Sequence, residues 1–288
     1  MRAFCRIAPA AFFALLIAAH LTVTFTLAGY MRRKPFVEKL GYIPSVSVMK
    51  VMAADHRQFV AASLIVKTLV YFGSLMDKAD NEFQIPADYP AMSRSIDASL
   101  KLDPYNMDGY YFAQAILAWD VKKADLAITF LEYGMKYRTW DWHLPYFAAF
   151  NYSYFLKDYV KAAPLYQRAA ELSGNDMFMN LAARYMYESG RTEMAVAYLD
   201  SMAKSARQES IRNTLTARRD ALIAVLRIER AVERYQASTG SLPVSLIDLV
   251  QSGFIDAIPV DPYGGRFFLD KGGKVSTTSR FSFHTPKK

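Results

Sequence analysis

One cysteine in 288 residues, Cys5, removes any intrachain disulfide and leaves the redox compartment unmarked. Histidine is also scarce. Of His20, His56, His143 and His284, His56 and His143 have no ligand at metal spacing, and the single thiol lies across the linker from them. His20, inside a long apolar run, is a candidate for a proton or metal role, although a lone neutral His is also cheap there. There is no glycine-rich loop of phosphate-binding spacing, since Gly264-Gly265 and Gly272-Gly273 read as turn glycines. No Gly-x-Ser-x-Gly elbow occurs, and no pair of carboxylates sits on an evident cleft-lining element. Asp261, beside Pro262, is where a calcium loop would start, but Asp256 and Asp270 are its only nearby helpers and six to eight oxygens are needed. No catalytic residue, cofactor, metal or small-molecule substrate is therefore expected. Asp141 near His143 reads as the cap of a helix opening at Leu144.

The formal charge of +8 is unevenly placed. Residues 1–50 hold seven Lys and Arg against Glu38, a net +6, which leaves +2 for the remainder. That remainder carries no basic stripe of the kind phosphate backbones require, so nucleic acid is not an expected partner. The excess flanks an uncharged run from Ile7 to Met31. As a helix it would extend about 37 Å, enough for a hydrocarbon core of about 30 Å. The expectation is a single-pass anchor over 1–31 in a bacterial inner membrane. A cleaved export signal is the alternative, with an apolar region longer than usual. Arg32, Arg33, Lys34 and Lys39 after the run lean towards a cytoplasmic body on the positive-inside bias. Small residues Ala10, Ala11, Ala14 and Ala18 would permit close helix approach.

What the chain does have is a period. Ala127–Leu131–Gly134 returns as Ala162–Tyr166–Ala169 and as Ala195–Leu199–Met202, with first members 35 and 33 positions apart. A looser copy, Met92–Ile96–Ser99, lies 35 positions upstream of Ala127. Each triplet puts a small residue where a second helix must nest on a first, and a filler one turn on. A fixed period of this size means stacked helical hairpins; an irregular helical bundle is the alternative.

The elements are set by breakers and caps. A linker, 32–54, holds Pro35, Gly41 and Pro44, with a short helix over Val46–Met52. A helix capped by Asp55 runs to about Asp77, a polar loop covers Lys78–Pro90, and Met92–Leu102 is helical up to Asp103-Pro104. Three hairpins come next: Met107–Trp119 with Ala124–Tyr137, Leu144–Phe155 with Val160–Leu172, and Met177–Tyr187 with Thr192–Ala203. The end changes character: a long helix over Glu209–Gln236, a short one over Ser245–Ser252, and a small hairpin, Arg266–Leu269 with Lys274–Ser276.

The triplets, Leu102-Asp103-Pro104-Tyr105-Asn106 between two repeats, and Lys157-Asp158-Tyr159-Val160-Lys161-Ala162 entering a second helix resemble the tetratricopeptide-repeat family. The resemblance covers roughly 57–204 and lacks the family's usual first-helix Trp and Gly. It implies a mostly α, TPR-like α-solenoid of three to four hairpins over 55–204, whose first helices line a concave groove. On that pattern the groove would carry Phe112, Trp119, Phe147, Asn151, Tyr154, Asn180, Arg184 and Tyr187. The segment 205–288 resembles the C-terminal half of type II secretion pseudopilins through Tyr235, Gly240, Leu242 and Pro243, then Leu246, Leu249 and Gly253 before Pro259, Asp261, Pro262 and Gly264. That likeness implies a helix-on-hairpin module and an envelope setting, on the periplasmic side where its relatives work. A prepilin's basic leader, Gly processing site and helical Glu are missing, and Phe25-Thr26-Leu27 lies at the wrong end of the apolar run, so processing as a pilin is not expected.

Together these imply a non-catalytic, membrane-tethered scaffold that holds a protein or peptide partner in a secretion- or pilus-type assembly. Two alternatives stand beside it: a structural membrane subunit whose groove is filled by its own chain, and an envelope enzyme, for which no convergent polar set is visible.

Overall fold

The computed structural model describes residues 4–33, 40–75, 87–270 and 272–281. The expected polar loop over 78–86, the linker residues Pro35 and Lys39, and His284 lie outside them. The described chain is mostly helical, with one two-stranded sheet, and divides into two compact units, 1–113 and 114–288.

The first unit contains α1 (Phe4–Arg33), α2 (Val46–Ala53), α3 (Arg57–Ser74), α4 (Tyr89–Leu102) and α5 (Met107–Ala113). Among the described residues no helix is long and apolar enough to cross a membrane. The expected transmembrane anchor over 1–31, and with it the single-pass inner-membrane location, is corrected on that finding. α1 holds Arg6 near its start and Arg32 and Arg33 at its end, and its apolar run is not continuous. His20, Thr22, Thr24 and Thr26 also interrupt it, and Thr22 and Thr26 turn their hydroxyls back onto the helix carbonyls of Ala18 and Thr22, each at 2.8 Å.

Asp55 does not cap α3. It lies in a 3₁₀ turn, Ala54–His56, that leads into the helix. α3 and α4 meet along a small-residue seam. Ser99 donates to the Ala61 carbonyl at 2.8 Å, and Thr68 to the Ser95 hydroxyl at 2.7 Å. Met92, Ile96 and Ser99, the looser triplet copy, are all fully buried here. Asp88 caps α4 by accepting from the Ala91 amide at 3.0 Å.

The second unit opens with a π-helical segment, Gln114–Asp120, then α6 (Ala124–Met135) and α7 (His143–Phe150), which runs into a second π-helical segment, Asn151–Phe155. Next come α8 (Tyr159–Ser173), α9 (Asp176–Glu188), α10 (Thr192–Ser205) and α11 (Glu209–Thr239), each packed on its successor. The chain ends with α12 (Leu246–Gln251) and the strands β1 (Phe267–Leu269) and β2 (Val275–Thr277). The strands pair antiparallel, Phe267 opposite Thr277 and Leu269 opposite Val275.

The repeat is visible in the backbone as well as in the side chains. Ala127, Leu131, Ala162, Tyr166, Ala169, Ala195 and Leu199 are all buried. Each hairpin turns through one left-handed residue: Lys122 at φ 55°, Lys157 at φ 54° and Gly190 at φ 76°. Before the first two turns an amide reaches back five residues, Val121 to Ile116 at 3.0 Å and Leu156 to Asn151 at 3.2 Å; at the third it is the amide after the turn, that of Arg191, that reaches back five, to Met186 at 2.8 Å. A left-handed turn residue therefore recurs at the interval of the alanine triplets, 35 and then 33 positions on, which an irregular bundle has no reason to do. Burying each Leu or Tyr filler contributes roughly 1.5–3 kcal/mol, so the alanines matter chiefly because they let the fillers seat.

One core joins the last hairpin to the end of the chain. Ala195 and Leu199 of α10 pack with Leu222, Val225 and Ile228 of α11, Leu249 of α12, Phe267 and Val275. Asp261 fixes the loop before β1. Its Oδ1 accepts the Tyr263 amide at 2.9 Å, and its Oδ2 accepts the hydroxyls of Thr277 and of Ser279, the latter at 2.7 Å. Asp270 accepts the amides of Gly272 at 2.8 Å and Lys274 at 2.9 Å and so closes the strand turn. Two of the three carboxylates of the calcium loop, Asp261 and Asp270, are thus committed to the protein's own donors. Among the described residues no group of three or more His, Cys, Asp or Glu could hold a metal ion.

Candidate functional site

The π-helical segments place four aromatic rings together. An i→i−5 closure inserts one residue into a turn and rotates the side chains beyond it, a feature often found at functional positions. Trp119, from the first segment, lies with its ring centroid 5.9 Å from Phe150, 5.7 Å from Tyr154 and 5.0 Å from Phe155. Phe150 and Tyr154, four apart on one helix face, stack at 5.2 Å, and Phe155 meets Tyr154 edge-on at 5.0 Å. Trp119 is 50% exposed and Tyr154 51%, so the cluster presents its faces to solvent. Exposed Leu156 and Val160 adjoin it in sequence, and the Lys157 ammonium stands 5.2 Å from the Tyr154 ring. Lys122 and Lys123, just past Trp119, are exposed as well.

On the same two π-helical segments Gln114 and Asn151 are buried and exchange two amide hydrogen bonds, Nε2 to Oδ1 at 2.9 Å and Nδ2 to Oε1 at 2.6 Å. The pair satisfies both side chains with each other and ties the two π-helical segments together. Asp120, at the end of the first segment, has its carboxyl pushed up by burial.

A second run of rings crosses α7, α8 and α9. Trp142 stacks on His143 at 3.7 Å and meets Phe178 at 5.3 Å; Tyr146 meets Phe178 at 5.0 Å. Phe147 meets Tyr146 at 5.4 Å, and Tyr166 stacks on Tyr185 at 5.2 Å. Much of this run is core: Phe178 and Tyr166 are buried, and burial pushes the Tyr166 hydroxyl up to about 12. Asp141 anchors the start of α7. It accepts the His143 amide at 3.0 Å, the His143 ring nitrogen Nδ1 at 2.8 Å and Arg138 Nε at 2.9 Å. Burial alone would raise its carboxyl, but the hydrogen bonds from His143 and Arg138 outweigh that and hold it below the ordinary value.

The eight residues expected to line one groove fall into different surroundings. Trp119 and Tyr154 belong to the exposed cluster, and Asn151 is buried and paired with Gln114. Phe147 is partly buried in the second run. Phe112 lies in the first unit, buried and edge-on to Phe72 at 6.4 Å. Asn180 is partly buried, donates to the Asp176 carbonyl at 2.9 Å and leaves its Oδ1 without a partner among the described residues. Arg184 is exposed, 5.8 Å from the Tyr185 ring. Tyr187 is buried, with its hydroxyl donating to the Val275 carbonyl of β2; burial first of all pushes that hydroxyl up to about 12, so it stays protonated. Phe150 and Phe155 complete the exposed cluster and were not among the eight. Phe150 could have been found by its i,i+4 spacing to Tyr154, whereas Phe155 depends on the π turn, for which the sequence has no signal.

No protein-family model matches the chain, and no curated protein does. The solved structure of MamA from AMB-1 is similar at 13% identity, over 57% of this chain and 97% of that one, with a TM-score of 0.34.

Proposed function

We propose that the second unit is a non-catalytic interaction module, in which the Trp119–Phe150–Tyr154–Phe155 cluster docks a polypeptide segment of a protein partner. The supporting observation is a set of four mutually packed rings, two of them half exposed, carried by segments that a buried amide bridge ties together. Tyr and Trp are favoured as interface anchors because they bring large contact area with few rotatable bonds. The exposed Lys122, Lys123 and Lys157 beside the rings favour a segment with an apolar anchor flanked by acidic residues. A setting in a secretion- or pilus-type assembly rests only on the pseudopilin-like residues between Tyr235 and Gly264. The boundary of the repeat region near residue 204 belongs to the same proposal.

A second reading has one observation in its favour. Tyr187, expected in the groove, is covered by the chain's own β2, so that end of the groove is self-occupied, as a purely structural subunit would have it.

The test is affinity capture with the full chain, then direct titration of the recovered partner against purified wild type, Trp119→Ala and Tyr154→Ala. Interface anchors of this kind cost about 2–4 kcal/mol when truncated, so the variants should bind at least tenfold more weakly. A partner that binds both variants as tightly as wild type overturns the assignment.

A further inference from the structure

A separate cavity of about 380 Å³ opens between α9 and the C-terminal strands, at the low end of the size range of ligand sites. Arg184 and Glu188 of α9 line one side; Phe268 of β1, Ser276 of β2, and Arg280 and Phe281 beyond it line the other. Two arginines, Arg184 and Arg280, line it from different elements. Neither Arg184 nor Arg280 has a carboxylate partner among the described residues. The one acid on the lining, Glu188, is already neutralised by Lys274 at 2.7 Å. The charged part of its lining is therefore net cationic, with Ser276 and Thr277 as the neutral polar residues beside it. Its remaining wall is aromatic, made by Tyr187, Phe268 and Phe281.

The backbone at its edge is strained. Arg280 and Phe281 hold φ of 51° and 56°, a left-handed conformation that side-chain-bearing residues rarely adopt, and here two adopt it in succession. Arg218 holds the second of them, donating from Nη2 to the Phe281 carbonyl at 2.9 Å. The strain is thus tied into α11 and keeps Arg280 on the cavity.

We propose that this cavity captures the terminal carboxylate of a peptide whose last residue is apolar. A guanidinium pair matches a carboxylate in charge and in its paired hydrogen bonds, and capture of a C-terminal carboxylate is a recurring mode of peptide recognition. A bare anion would satisfy the arginines but leave the aromatic wall uncovered. A neutral apolar side chain would do the reverse. A chain end carries both groups within one residue. This site is distinct from the Trp119 cluster and does not depend on it.

Fluorescence anisotropy of the full chain tests this, with fluorescein-labelled hexapeptides ending in Leu, Ile, Val or Phe, each made as the free acid and as the C-terminal amide. At least one free acid should bind saturably, with its amide about tenfold weaker. Arg184→Gln and Arg280→Gln should each weaken it by about fivefold or more, Arg280→Lys by less, and Arg168→Gln not at all. Thermal melts of each variant report folding; if Arg280→Gln disturbs the strained turn, Arg184→Gln on α9 still decides. Acids and amides binding alike, no free acid saturating, or displacement by millimolar inorganic phosphate would each overturn the proposal. So would binding that survives both arginine variants but falls with Trp119→Ala, which would place the peptide on the aromatic cluster instead.

Discussion

Gln114 and Asn151 face each other as a closed amide pair, each donating to and accepting from the other, with neither open to water. Removing one partner leaves the other desolvated and unpaired, which costs about 1–3 kcal/mol beyond the lost bond. Asn151→Ala is therefore expected to lose about 2–3 kcal/mol in urea unfolding. Gln114→Met with Asn151→Leu, which removes both polar groups, should recover most of it. The fluorescence of Trp119, a few residues past Gln114, should shift in the single variant and return towards wild type in the double.

The three equivalent turn positions predict substitutions of opposite sign. Lys122 holds a left-handed backbone that glycine adopts without a Cβ penalty, so Lys122→Gly is expected to stabilise by about 0.5–1 kcal/mol despite glycine's greater unfolded freedom. Gly190 holds the same conformation with open space around its Cα. Gly190→Ala meets no neighbour, so its expected loss of about 1 kcal/mol is purely conformational. Thermal melts of the two variants check both signs.

Asp141 gives a pH dependence. Its folded carboxyl is held below the unfolded value by His143 and Arg138, so its contribution is complete above the unfolded value of about 3.9 and is lost as pH falls through the lower folded one. Asp141→Asn should cost about 1.5–3 kcal/mol at neutral pH, the range for hydrogen bonds to a charged group. The gap between the two proteins should hold constant down to about pH 5 and close below about pH 4. A gap that widens on acidification would refute the sign.

Gly265 is where the C-terminal loop admits no side chain. A Cβ there would stand 2.6 Å from Asp261 Oδ2 and 2.6 Å from the Ser279 amide nitrogen. Gly265→Ala must therefore displace the carboxylate that Thr277 and Ser279 hold, and is expected to destabilise by about 2–3 kcal/mol. Hydrogen exchange should show the loss first in the amides of Tyr263 and Phe281.

The alanine triplets made the hairpins legible because a small residue every 35 or 33 positions marks a close contact that any stacked arrangement must repeat. The left-handed turns were half legible. Gly190 advertises itself, whereas Lys122 and Lys157 adopt the same conformation with no residue preference to reveal it. The π-helical segments left no trace, since a single i→i−5 register slip changes neither composition nor period. Tyr187 was misplaced because its partner, the Val275 carbonyl, is 88 residues away. A pattern read within one helix cannot see what a distant strand will cover. Asn151 shares that fate at shorter range, its polar side chain pointing to a surface and its partner Gln114 making burial cheap. The uncharged run from Ile7 to Met31 points to an anchor, yet among the described residues no helix is long and apolar enough to cross a membrane, and His20 and the threonines at 22, 24 and 26 are polar positions that an absence of charge does not reveal.

The Tyr187–Val275 latch bears on how such an array comes to an end. A pile of like units always has a last face, and that face is shaped to accept one more. Here α11 and the two strands sit on it as a lid made from a different kind of structure, so the array stops at a fixed number instead of growing onto its neighbours. A chain cut after Ser205 would leave Leu199 and Ala195 bare and should self-associate into ragged oligomers.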